Sequence, residues 1–291
     1  MKLWQETERI LDIVLRLASE GRSAALARVV AIEGSAYRRP GAKLLVPEDG
    51  RPVGGVSGGC LEDDVRLIGL DVVKTGVPVL RRYDTKDENR VLGLGLGCGG
   101  SVDIFIQRVS PEDARETWAE VRRRLRESEP FGVVTAIDGA AAGRMLLAGN
   151  AWTAGSLRDP KLDDAARGGA LAAVRRRSSS VQTLEGVRVF FEVLSPPPRL
   201  LVCGAGDDAI PLVALAASIG FRVLVADHRD AVLTPARFPD ARELLRRRPE
   251  DGLPAGFAGP DAFAVVKCHS FNLDGGWVRA LLAADVGYVG V

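Results

Sequence analysis

Apolar positions recur at helical spacing in the first 20 residues, where Trp4, Leu11, Val14, Leu15 and Ala18 share one side and Gly21 ends the run. This spacing predicts a helix over 3–18. A valine- and leucine-rich stretch over 24–32 reads as a buried strand, with short strands at 43–46 and 54–56 inside glycine-punctuated sequence. Residues 61–74 predict a helix that begins beside Cys60, 102–109 a strand, and 111–128 a strongly charged helix. From Phe131 onward, strands are expected at 132–137, 144–148 and 187–193, with a helix near 160–176 between them. Ser195-Pro196-Pro197-Pro198 reads as a linker, because consecutive prolines lack N–H donors and hold an extended geometry. The pattern divides the chain into a domain at 1–195, strand-rich from about 130, and a second domain at 199–291.

Beyond the linker, Arg199-Leu200-Leu201-Val202-Cys203 reads as a strand entering Gly204-Ala205-Gly206-Asp207-Asp208-Ala209. This is a G-x-G-x-x-A turn, followed by an apolar helix over 210–219 and a second strand over 221–226 that ends at Asp227. In a dinucleotide fold Gly204 permits the tight turn and Gly206 lets backbone approach a pyrophosphate over the helix N-terminus. Ala209 keeps helix and strand close, and Asp227 is placed to accept bonds from ribose hydroxyls. The order predicts a Rossmann-like parallel sheet in this half, and so an α/β chain whose front half is α+β. Asp207 and Asp208 are placed to cap the helix, and their charge opposes an arriving phosphate. Bound NAD(P) and an altered or empty pocket therefore stand as alternatives. A strand over 262–266 carries Lys267-Cys268-His269-Ser270 at its C-terminal end, where open α/β sheets bind ligands. His269 is thus a candidate ligand contact or proton carrier, and the other histidine, His228, directly follows Asp227.

Three glycine-rich elements dominate the front half: Gly34–Lys43, Gly54–Glu62 and Gly93–Gly100. Paired glycines, here Gly58-Gly59 and Gly99-Gly100, expose backbone N–H groups and suit close approach to an anion or cofactor. Arg38, Arg39 and Lys43 are the candidate cations. Cys60 falls at the expected start of a helix, where the dipole favours thiolate, and Cys98 directly precedes the second glycine pair. Thiolates suit a thiophilic metal or sulfur exchange, so Cys60 and Cys98 are the candidate metal or sulfur ligands. The residues by themselves reach an anionic, sulfur-handling site and no further.

Charge narrows the partners. Lys plus Arg number 39 against 38 for Asp plus Glu, so no net field attracts nucleic acid or an anionic membrane. No apolar run approaches the roughly 18–20 residues that span a bilayer. The N-terminus places Glu6 and Glu8 where a signal peptide needs an apolar core. A cytoplasmic protein is expected, in which cysteines stay reduced. None of the four cysteines has the Cys-x-x-Cys spacing of structural zinc.

Taken together, the glycine and cysteine elements resemble the XdhC/CoxI family, accessory proteins of molybdenum hydroxylases such as xanthine dehydrogenase and carbon monoxide dehydrogenase. Gly34-Ser35 with Arg38 and Pro40-Gly41-Ala42-Lys43 looks like the first family signature, Ser57-Gly58-Gly59-Cys60-Leu61-Glu62 the second, and Gly97-Cys98-Gly99-Gly100 the third. The resemblance implies binding of molybdenum cofactor, in molybdopterin or dinucleotide form, its protection during sulfuration, and delivery to an apo-enzyme. It makes Cys60 and Cys98 the cofactor- or sulfur-handling thiols, while a phosphate role for Arg38 and Lys43 is inferred from their charge. The implied partners are a hydroxylase client and a sulfur-donating desulfurase. A homodimer is also expected, with no specific interface assigned, since the front half is rich in short strands and its amphipathic N-terminal helix offers a face to a second copy.

Departures from the family concentrate in the back half. Asp207 stands where the family commonly has histidine, and Cys268-His269-Ser270 replaces threonine, histidine, aspartate. The family usually continues past Gly287-Tyr288-Val289-Gly290 through a basic segment and a helical stretch, whereas this sequence ends at Val291. The competing functions are a nicotinamide-dependent oxidoreductase built on Gly204, Gly206 and Asp227, and a scaffold that brings a sulfur donor to the client.

Overall fold

The computed structural model describes residues 2–84, 100–127 and 129–291, without the side chains of Lys2 and Leu3. The chain divides into one compact unit at Leu3–Pro196 and a second that contains Pro197–Val291.

The front unit opens with α1 (Lys2–Ser19), whose Ile10, Leu11, Val14, Leu17 and Ala18 make one buried stripe. That stripe shares a core with Leu26, Leu45, Trp118, Phe131 and Leu147. The apolar side of α1 is therefore engaged within its own unit. β1 (Ala24–Glu33) is central in an antiparallel sheet with β2 (Lys43–Pro47), β3 (Val53–Gly54), β4 (Val79–Asp84) and β5 (Ser101–Val109), in the order β3-β2-β1-β5-β4. α2 (Glu62–Thr75) lays Val65 and Val72 on this sheet over Ala25, Ala27 and Val46.

After β5 a continuous helix runs through α3 (Pro111–Asp113), a π-helical turn (Ala114–Trp118) and α4 (Ala119–Leu125). It starts at a reciprocal cap, Ser110 accepting from the Asp113 N–H at 3.1 Å while the Asp113 carboxylate accepts from the Ser110 N–H at 3.1 Å. A second antiparallel sheet follows, ordered β8-β7-β6-β10-β9. It comprises β6 (Phe131–Ala136), β7 (Met145–Gly149), β8 (Trp152–Gly155), β9 (Ser180–Leu184) and β10 (Val187–Leu194). α5 (Pro160–Arg176) covers it with Leu162, Ala166, Ala170 and Ala173, small side chains at helical spacing that let helix and sheet approach closely. Val30 and Phe105 from the first sheet meet Ile137 and Phe190 from the second in a shared core.

The back unit is a parallel sheet ordered β13-β12-β11-β14-β15, built from β11 (Arg199–Cys203), β12 (Arg222–Asp227), β13 (Glu243–Arg246), β14 (Ala262–Val266) and β15 (Tyr288–Gly290). α6 (Ala209–Ser218) follows β11 and α7 (Phe271–Ala283) follows β14. The strand order reverses between β11 and β14, the doubly wound arrangement of a Rossmann-like fold, and the crevice at that point is where such sheets bind ligands. Among the described residues no helix is long and apolar enough to cross a membrane.

Candidate functional site

The first two glycine elements converge beside α1 and the start of α2. Glu6 of α1 ties them together, accepting from the Arg38 guanidinium and, at 3.1 Å, from the Gly55 N–H. Glu62, the first residue of α2, accepts from the N–H groups of Val56 (3.0 Å) and Ser57 (2.8 Å) and from the Ser57 hydroxyl. Burial pushes the Glu62 carboxyl up, but those donors outweigh it and hold the group below its ordinary range. Ser57 Oγ accepts in turn from the N–H groups of Gly59, Cys60 and Leu61 at 3.1–3.2 Å, and the Cys60 thiol lies 3.5 Å from it. The loop folds this way because Gly59 takes φ +113°, a conformation closed to ordinary residues. The N–H groups of Val56, Ser57, Gly59, Cys60 and Leu61 are thus already met by Ser57 and Glu62.

What the loop does present is a thiol. Cys60 is half-buried in a pocket of about 90 Å³ whose wall includes Tyr37, Arg38, Val56, Gly58 and Leu61. The Tyr37 ring lies over Gly58, with a Cβ there meeting ring carbon at 3.5 Å, yet the side chain is 75% exposed. Arg38 lines the same pocket, and its buried Nε has no acceptor among the described residues. Gly100 packs against the first element so closely that a Cβ would overlap the carbonyl oxygens of Glu33 and Ser35. Cys98 and Gly99 lie outside the described residues. Cys60 itself sits two residues before α2, whose first turn carries Glu62, Asp63 and Asp64, so the local charge is negative and opposes the anion-favouring helix end expected from the sequence. Among the described residues, no group of three or more His, Cys, Asp or Glu side chains is arranged to hold a metal ion.

Lys43 has a different role from the expected one. Its side chain is 2% exposed, and its ammonium donates to Glu192, to the Gly41 carbonyl at 2.9 Å and to Thr7 at 3.2 Å. Three donors are matched by three acceptors, which leaves none for a ligand phosphate.

At the crevice of the back unit, Gly204 abuts the Lys267 carbonyl and Gly206 lies against the Asp208 carboxylate. Asp227 stands at the end of β12 as expected, but its oxygens accept from the Ala205 N–H (2.8 Å), the Arg229 N–H (2.9 Å) and the Arg229 guanidinium fork (2.9 and 3.0 Å). Burial raises this carboxyl, yet the Arg229 fork and the two backbone donors prevail and hold it at about 2. Asp208 makes no side-chain cap; it pairs with Lys267 at 2.9 Å and with exposed His269 at 3.1 Å. Asp207 pairs with Arg237 at 2.8 Å. Cys268 and Cys203 are neighbours behind this rim, and burial pushes the Cys268 thiol up to about 12.

Sequence reasoning assigned no role to Glu6, Tyr37, Ser57 or Glu62. Ser57 and Glu62 stand in the second signature at a five-residue separation across the glycine pair, which is the available signal for a serine-and-carboxylate clasp. Glu6 carries no such signal, because its partners lie more than 30 residues away.

Comparison with known proteins follows the same division. The model of the XdhC and CoxI family matches residues 17–84, and that of the XdhC Rossmann domain matches residues 200–291. The chain is 32% identical over 286 residues to a Bacillus subtilis (strain 168) protein named as a probable xanthine dehydrogenase subunit, covering 94% of this chain and 81% of that protein. It is 29% identical over 131 residues to the molybdenum cofactor insertion chaperone PaoD of Escherichia coli (strain K12), covering 45% of this chain and 40% of that protein. A crystal structure from Bacillus halodurans, described as a xanthine dehydrogenase, matches with a TM-score of 0.75 at 27% identity over 96% of this chain and 80% of that one. The chain belongs to the XdhC and CoxI family.

Proposed function

We propose that this protein is an accessory factor that binds molybdenum cofactor, shields it during sulfuration and delivers it into a molybdenum hydroxylase of the xanthine dehydrogenase or carbon monoxide dehydrogenase type. The observation that carries the reading is the Cys60 pocket, formed where the first two signatures meet, with Gly100 of the third packed against the first. The name of the Escherichia coli relative as a cofactor insertion chaperone supports it.

The residues present fit one end of such a cargo. Cys60 offers a soft sulfur ligand in an apolar pocket, and Arg38 offers a buried Nε–H that no atom of the described residues accepts. At about 90 Å³ the pocket admits only a small group, so the bulk of a metallopterin would lie outside it, where the exposed Tyr37 ring would be available to it. Cys98 is proposed as the second thiol. The partners are the hydroxylase client and a desulfurase that supplies sulfur. A hydride-transfer role for the back unit finds no support in its crevice, because Asp227 is already met by Arg229 and the pyrophosphate position faces Asp207 and Asp208.

Activation of an apo-hydroxylase client in the presence of cofactor tests the reading. Cys60→Ala and Cys98→Ala are expected to lower the activated fraction, and Lys43→Arg to affect it only through stability. Unchanged activation by the double cysteine variant would remove the thiols from the account.

A further inference from the structure

The front unit holds a second cleft, outside the cofactor site, and two residues of its lining, Gln107 and Trp118, back onto a cluster of buried charges. Arg28 is fully buried, donates to Gln107 Oε1 at 2.6 Å and lies 3.5 Å from Glu192 Oε2. Glu192 also receives the Lys43 ammonium. Arg28 and Lys43 thus face one carboxylate, and the cluster keeps an excess of one positive charge in a region closed to water. Burial draws the Arg28 guanidinium below its ordinary value, as expected of an incompletely matched cation.

Two donors in this cluster have no acceptor among the described residues. One is Arg28 Nε and the other is the indole N–H of Trp118, a side chain only 2% exposed, whose ring centre lies 5.7 Å from the Arg28 guanidinium carbon. Both groups are donors only, so neither can satisfy the other. Trp118 and Gln107 line a cleft of about 280 Å³ that Arg144 and Arg158 also line. Both arginines are exposed, and neither has an ion-pair partner among the described residues. Asp113 and Glu116 lie on the same wall; Asp113 is held by the Ser110 N–H and hydroxyl, while Glu116 is exposed.

We infer that this cleft binds a small organic or inorganic oxyanion, a phosphate or a carboxylate. Its oxygens accept from the Trp118 indole N–H and from Arg144 and Arg158, and its charge offsets the excess carried by Arg28, Lys43 and Glu192. The two carboxylates on the wall disfavour a polyanion, so the ligand carries one or two negative charges. This site does not depend on the cofactor reading.

Calorimetric titration of the full chain with inorganic phosphate, and separately with succinate, tests it, using chloride at matched ionic strength as the control. Saturable binding of one anion is expected, with a change in tryptophan emission, and the two arms distinguish the phosphate from the carboxylate source. The double variant Arg144→Gln/Arg158→Gln alters exposed side chains only, and it is expected to weaken binding roughly tenfold or more. Trp118→Phe is expected to weaken it severalfold, and Cys60→Ala to leave it unchanged. Absence of saturable binding in both arms, or wild-type affinity in the double arginine variant, would overturn the inference.

Discussion

Replacing Glu192 by Gln preserves the shape of the side chain and removes a single charge, yet it leaves two buried cations facing no anion. The Glu192 and Lys43 side chains are 2% exposed and that of Arg28 is 0% exposed, so water does not substitute for the lost carboxylate. Removing one partner of a buried pair costs about 3–5 kcal/mol. With two cations depending on one carboxylate, the top of that range applies. At about 2–4 °C per kcal/mol for a unit of this size, the front-unit transition is expected to fall by roughly 10–20 °C. Differential scanning calorimetry of the full chain measures this directly. Lys43→Met supplies the contrast: it removes the cation but leaves Glu192 facing Arg28, so its expected cost is smaller, about 1–3 kcal/mol. If Glu192→Gln unfolds within about 1 kcal/mol of wild type, or if Lys43→Met is the worse of the two, the buried cluster does not hold the sheets together.

Asp227 gives a pH signature. Its folded carboxyl is held at about 2, below its ordinary value, so its stabilisation of the back unit is complete above about pH 4 and is lost as the pH falls toward 2. Asp227→Asn is expected to flatten the acid limb of a denaturation series and to lower stability at neutral pH by about 1–2 kcal/mol, and an unchanged limb counts against the Arg229 fork. Brief alkylation at pH 8 followed by peptide mapping is expected to leave Cys203 and Cys268 unlabelled, since burial pushes both thiols up; prompt labelling of Cys268 contradicts that environment. Gly100→Ala drives a Cβ into the backbone of Glu33 and Ser35 and is expected to cost about 1–3 kcal/mol and disturb the Cys60 pocket, whereas a neutral result separates the third signature from the first.

The elements with strong periodicity were legible from the sequence. The helix at Lys2–Ser19, the strand at Ala24–Glu33, the helix at Pro160–Arg176 and the strand–turn–helix at Arg199–Ser218 follow from apolar spacing and from cap and turn residues. The strands at Val79–Asp84, Trp152–Gly155, Ser180–Leu184 and Glu243–Arg246 were not, because they lie at sheet edges, are short and are half-exposed. Their pairing comes from a neighbouring strand and not from their own pattern. The candidate site was legible in its thiol and its glycines, which signatures display. It was misread in Lys43, because a lysine after a glycine turn looks the same in sequence whether it meets a phosphate or Glu192, which lies 149 residues away. At Asp227 the acid stands in the position the fold provides, and the pattern does not display that Arg229, two residues on, takes its oxygens.

The central claim is that Cys60 belongs to a site that carries a metallopterin. It is tested most directly by expressing the full chain alongside an intact cofactor pathway, purifying it, and measuring the fluorescence of the oxidised pterin released on denaturation. Pterin approaching one equivalent per chain for wild type, with a marked loss in Cys60→Ala, is the predicted result. Wild-type protein that yields no pterin, or a Cys60→Ala variant that retains as much as wild type, contradicts it.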